Sequence, residues 1–156
     1  MQVMVTLPIT LTIAGAAALL NVWLGFRVSL LRRRHKVSIG DGGEAAIATR
    51  MRAHANFVEY TPFFLILLGL VEYARGTHTW LWAVAILYIL ARLAHPFGLD
   101  RGGTNMLRIV GISVTWLVLI ALAAYALAIP YLDSGRTAPV TYAGVATSSS
   151  GGTKLS

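Results

Sequence analysis

Residues 5–36 read VTLPITLTIAGAAALLNVWLGFRVSLLRRRHK, an apolar run from Val5 to Leu31 closed by Arg32, Arg33, Arg34, His35 and Lys36. A helix of that length, at about 1.5 Å rise per residue, outreaches a hydrocarbon core about 30 Å thick. The basic run cannot follow it into hydrocarbon. The stretch therefore predicts a membrane-spanning helix ended by a stop-transfer anchor. It lacks the cationic start, short apolar core and small-residue cleavage site of a secretory signal, so the helix is expected to be retained.

Working outward, Ser38 to Gly43 (SIGDGG) is rich in turn formers, and Asp41 or the neighbouring glycines can precede a second helix from near Glu44 to about Tyr73. Arg75 to His78 form a tight turn into a third span, roughly Thr79 to His95, whose Trp80 and Trp82 suit an interfacial aromatic belt and which Pro96 is expected to end. The loop Gly98 to Thr104 leads to a fourth span, Asn105 to about Leu132, with Pro130 near its end. Four helices of similar length joined by short connections predict an all-α, up-down-up-down transmembrane bundle over residues 1–133. Residues 134–156, with Ser148 to Gly152, have the composition of a flexible polar tail.

The composition agrees. Of 156 residues, 56% are hydrophobic and 12% charged, and the mean hydropathy of +0.68 is too high for a soluble domain with a polar surface. The spans leave no room for a second domain. A net charge of +7 would suggest nucleic acid in a soluble chain; beside apolar spans, anionic lipid headgroups are the simpler partner, and no nucleic acid is expected. The chain has no cysteine. Any thiol chemistry must use a thiol that the substrate brings.

Basic residues fall unevenly. Arg27, Arg32 to Arg34, Lys36, Arg50, Arg52, Arg92, Arg101 and Arg108 lie at or near the ends facing the first and third loops, against Arg75, Arg136 and Lys154 on the other side. The positive-inside rule then makes the first and third loops cytoplasmic and both termini periplasmic or lumenal, as expected of a protein of the inner (cytoplasmic) membrane.

The chemically informative stretch is Arg50 to Pro62, RMRAHANFVEYTP, in which Arg52, Asn56 and Glu59 stand at i, i+4 and i+7 and share one helical face. A charged side chain at the centre of a membrane helix costs about 2.5 to 3.5 kcal/mol on insertion scales, so such groups turn toward a bundle interior or a wet cavity. One reading is structural, with Arg52 and Glu59 snorkelling or paired and Asn56 bonding between helices. The other is an anion-binding cleft open to the cytoplasm, to which Arg27, Arg92, His95 and Arg108 can converge at the same depth. Arg27, one turn before the basic run, reads first as a headgroup anchor. Arg92 and His95 share a face but are too few for a metal site. Asn21 suits an interhelical hydrogen bond; His54 and His78 suit the membrane interface.

From Arg52 to Pro62 the sequence RAHANFVEYTP resembles the second-helix signature R-A-x-x-N-x-x-E-x-x-P of the MAPEG family, the membrane-associated proteins of eicosanoid and glutathione metabolism. The likeness extends over residues 5 to 132 and includes the basic first loop, Arg92 and His95 on the third helix, and Arg108 early in the fourth. It implies a homotrimer of four-helix bundles binding glutathione between subunits, with a lipophilic small molecule as second substrate. By position, Arg52, Asn56 and Glu59 resemble the glutathione-binding residues. Arg108 resembles the arginine that stabilises the thiolate, and Arg92 and His95 resemble residues beside the site. The chain departs from the pattern at Ala48, Thr49, Ala55 and Leu99, where some members carry a glutamate, two arginines and a tyrosine.

The resemblance thus implies a glutathione-dependent transferase or peroxidase acting on a lipophilic electrophile or peroxide. The departures support an alternative, a non-catalytic scaffold or accessory subunit. A small transporter fits less well, because the spans show neither paired broken helices nor an inverted repeat.

Overall fold

The computed structural model describes residues 6–133, and the tail expected at 134–156 lies outside them. Four helices run in order: α1 Pro8–His35, α2 Ala45–Arg75, α3 Thr79–Asp100 and α4 Met106–Asp133. All four are long and apolar enough to cross a membrane. α1 packs mainly on α2, and α3 mainly on α4. α2 and α3 also touch each other and one helix of the opposite pair, while α1 and α4 make no contact among the described residues.

In α1 the buried residues are Ile9, Ile13, Ala17, Leu20, Leu24 and Val28, a three-or-four spacing that marks one face. The opposite face carries Leu11, Leu19, Val22 and Phe26, all exposed, as a lipid-facing helix requires. Ile9 and Ile13 join Phe64, Leu68, Val71, Leu81, Ala85, Tyr88, Val118 and Leu122 in the main core. There the Phe64 and Tyr88 rings stack at 3.6 Å, and the Tyr88 hydroxyl shares a hydrogen bond of 3.2 Å with that of Thr61. Lipid tails are as apolar as these side chains, so close packing and hydrogen bonds hold the helices together, with little help from water exclusion.

Three boundaries differ from the sequence reading. α1 does not stop at the basic run but continues through it to His35, ending where Lys36 turns left-handed at φ 57°. The Lys36 and Val37 amides donate to the Arg33 and Arg32 carbonyls, the two bonds of a Schellman motif. Arginine is a good helix former, and the three arginines in the last turn complement the negative end of the helix dipole.

α3 runs through Pro96 to Asp100. A proline costs an interior helical hydrogen bond, about 3 kcal/mol, and the extra turn has tertiary contacts to set against it. Phe97 packs on Trp23 with ring centroids 5.7 Å apart, Asp100 pairs with Arg27, and the Asn105 amide donates to the Gly98 carbonyl. α2 reaches Arg75, two residues beyond the expected end.

The start of α1 has an unexpected partner. Leu7, before the helix, gives no side-chain cap; the carboxylate of Glu72, near the end of α2, does so from across the bundle. Glu72 is 1% exposed. It accepts from the amides of Ile9 at 3.0 Å and Thr10 at 2.8 Å, and from the hydroxyls of Thr10 at 2.7 Å and Thr77 at 3.1 Å.

Candidate functional site

The centre of the polar constellation is Arg92 on α3, 1% exposed. One guanidinium nitrogen donates to Oδ1 of Asn56 on α2 at 2.8 Å and to the Thr115 hydroxyl on α4 at 3.4 Å. The group also lies over the Phe57 ring, 5.6 Å from its centroid. Its Nε is buried without a hydrogen-bond partner. No carboxylate among the described residues lies within ion-pair distance, although Glu59 and Tyr60 are near enough to act on it electrostatically. A buried cation without a close anion leaves a positive potential where α2, α3 and α4 meet.

Arg92 also orients Asn56. Because Oδ1 receives the guanidinium, the amide NH2 is the group left to donate elsewhere. Arg52 and Glu59, one turn on either side, are exposed on α2 and make no hydrogen bond or ion pair with the rest of the described chain. The face of Arg52, Asn56 and Glu59 is therefore held at its middle and open at both ends.

His95, one turn beyond Arg92, is 5% exposed. Its Nδ1 bonds the backbone carbonyl of Arg108 at 3.3 Å. This contact exists because α3 and α4 approach through glycines. A Cβ on Gly98 would lie 2.4 Å from the Arg108 nitrogen, and one on Gly111 would lie 2.9 Å from the His95 Cβ. The Arg108 amide donates to the Asn105 side chain at 3.1 Å, an asparagine cap on α4. Its guanidinium is exposed and bonds the Gly103 carbonyl at 3.4 Å, leaving most of its donors free.

Arg27 is not the headgroup anchor expected. Its side chain is 12% exposed, pairs with Asp100, stacks 4.7 Å above Trp23, and gives its carbonyl to Arg50 at 3.1 Å. A carboxylate distant in sequence at the end of α3 captures it, and only the continuation of α3 past Pro96 supplies that carboxylate. His54 is likewise drawn between helices, bonding Oδ1 of Asn21 at 2.9 Å and lying against Gly25. Asn21 thus makes the interhelical bond expected of it. Thr115 was not legible as a site residue: it is an uncharged hydroxyl in an apolar span, and only the fold sets it opposite Arg92.

Four apolar helices, a buried arginine behind an asparagine, and an Arg-x-x-x-Asn-x-x-Glu face on the second helix define an integral membrane protein of the kind the sequence resembles. The sequence pattern of the MAPEG family matches residues 10–128, and the chain belongs to that family. Among its relatives, the inner membrane protein YecN of Escherichia coli K12 is 34% identical over 108 residues, 69% of this chain and 81% of that one. The protein of the same name from E. coli O6:H1 matches to the same extent.

Proposed function

We propose that the protein is a glutathione-dependent transferase or peroxidase of the inner membrane, acting on a lipophilic electrophile or peroxide. The observation that carries this reading is the half-open face of α2, where Asn56 is oriented by Arg92 and flanked by Arg52 and Glu59, both exposed and unpaired among the described residues. Seven helical residues advance about 10 Å, close to the reach of an extended tripeptide at roughly 3.3 to 3.6 Å per residue. Glutathione has a carboxylate for Arg52, an amine for Glu59 and amide carbonyls for the Asn56 NH2. The donor set fits the ligand.

Arg108 has the chemistry for the remaining step. A guanidinium beside the glutathione sulfur favours thiolate over thiol, whose unperturbed pKa is about 8.5. The thiolate is the nucleophile that a chain without cysteine cannot supply. His95 holds the Arg108 backbone and so positions it. Exposed charges at both ends of the α2 face also favour a neighbouring subunit completing the site, as in a homotrimer, with the first and third loops toward the cytoplasm.

Calorimetry on detergent-purified protein tests this. Saturable glutathione binding is expected, weakened at least tenfold in Arg52→Ala and Glu59→Ala, while Arg108→Ala lowers turnover on a model electrophile with binding largely kept. Absence of binding at millimolar glutathione would sink the proposal. A second reading, a non-catalytic scaffold, is favoured by one observation: the bond from Arg92 to the Asn56 Oδ1 is already made within one subunit. Under it, Arg52→Ala or Glu59→Ala would dissociate the oligomer in mild detergent, and glutathione would have no effect.

A further inference from the structure

The basic run at the end of α1 divides by helical phase. Arg32 is turned inward, its Nε donating to the Gly40 carbonyl at 2.9 Å and another nitrogen to the Met51 sulfur at 3.4 Å. His35 faces Glu44 at 3.4 Å. Arg33 and Arg34 are exposed and make no hydrogen bond or ion pair with the described chain. With Arg50 of α2 and with Leu30 and Leu31 they line a recess of about 440 Å³. Arg50 spends one nitrogen on the Arg27 carbonyl and retains other donors.

We infer that this recess binds the phosphate of an anionic glycerophospholipid, with an acyl chain lying along Leu30 and Leu31. Three guanidinium groups from two helices meet there at the end of a membrane-spanning segment, where a phospholipid's phosphate and first methylenes lie. Arginine forks match phosphate oxygens, and the two leucines offer an apolar floor. The lining has no carboxylate. The nearest acids in sequence are already engaged, Glu44 with His35 and Asp41 with the Gly43 amide at 3.0 Å. A zwitterionic lipid would therefore bring its ammonium among cations with no anion to meet it, whereas a glycerol headgroup brings no such penalty.

The test uses the full chain in a neutral detergent, titrated with short-chain phosphatidylglycerol, with phosphatidylcholine of the same chains, and with inorganic phosphate, read by native mass spectrometry. The expected result is one phosphatidylglycerol per chain, held at least tenfold more tightly than phosphatidylcholine. That preference should disappear in the double variant Arg33→Gln, Arg34→Gln, which breaks no side-chain hydrogen bond or ion pair among the described residues. It should weaken in Arg50→Gln and survive in Arg101→Gln, an exposed arginine outside the recess. Equal binding of the two lipids, or a preference unchanged in the double variant, would overturn the assignment. So would inorganic phosphate binding as tightly as the lipid, since the acyl half of the site would then contribute nothing.

Discussion

Alanine in place of Gly98 is expected to produce one of the largest losses of stability of any single substitution in this chain. Its methyl would stand 2.4 Å from the Arg108 nitrogen and 2.8 Å from its Cα. Both are backbone atoms of a capped helix start and cannot swing aside as a flexible side chain can. Overpacking of a tight contact costs about 1 to 3 kcal/mol and occasionally more, and relief here requires moving the first turn of α4 as a body. The gain of up to about 1 kcal/mol that alanine brings over glycine within a helix offsets only part of this. Thermal melting in detergent should show a clear drop for Gly98→Ala, and no drop for Gly15→Ala, where nothing lies within 4 Å of the added carbon. Equal melting temperatures for the two variants would mean that α3 and α4 are not so close. The same displacement would break the His95 bond to the Arg108 carbonyl, so under the proposed function glutathione-dependent turnover should fall further than stability alone explains.

The second large effect is expected at Glu72. Glu72→Ala removes the acceptor for two helix-start amides and two hydroxyls, with the bond from Ile9 buried and the other three part-buried. Hydrogen bonds to a charged partner contribute about 1.5 to 3 kcal/mol each, and buried amides left unpaired carry their full desolvation cost. A loss of about 3 kcal/mol or more follows on that scale. Glu72→Gln keeps one oxygen and should lie between the variant and the native protein. Hydrogen exchange gives a local signature, with the Ile9 and Thr10 amides exchanging faster in Glu72→Ala while the middle of α3 stays protected. Unchanged exchange at those two amides would show that the carboxylate does not cap α1.

The large features of the fold were legible in the sequence because they depend on local quantities. Span length, the basic run and the turn residues at Gly76 and at Gly102 with Gly103 each act within a few positions, and each gave its helix within a few residues. The periodicity of Arg52, Asn56 and Glu59 likewise put them on one face. The misreadings share a different cause. Pro96 reads as a stop because its penalty is local, whereas the contacts that outweigh it come from Trp23, Arg27 and Asn105. Arg27 reads as a headgroup anchor in the sequence because its partner Asp100 lies 73 positions away. Glu72 has no partner that local spacing reveals, yet two local anomalies answer each other: a carboxylate in an apolar run, and a helix beginning at Pro8 after Leu7, which cannot cap it.

The helical continuation of α1 to His35 gives its terminal cluster two separable properties. The total of positive charge, which governs which side of a membrane a segment keeps, is indifferent to the order of the residues. Their phase is not. One alanine inserted between Leu31 and Arg32 would leave the total unchanged and rotate every later side chain by about 100°. Arg32 would lose Gly40 and Met51, and the pair facing the recess would be exchanged for another. Such an insertion would produce a chain threaded in the native direction but mispaired at its first loop, separating the signal that sets topology from the geometry that joins α1 to α2.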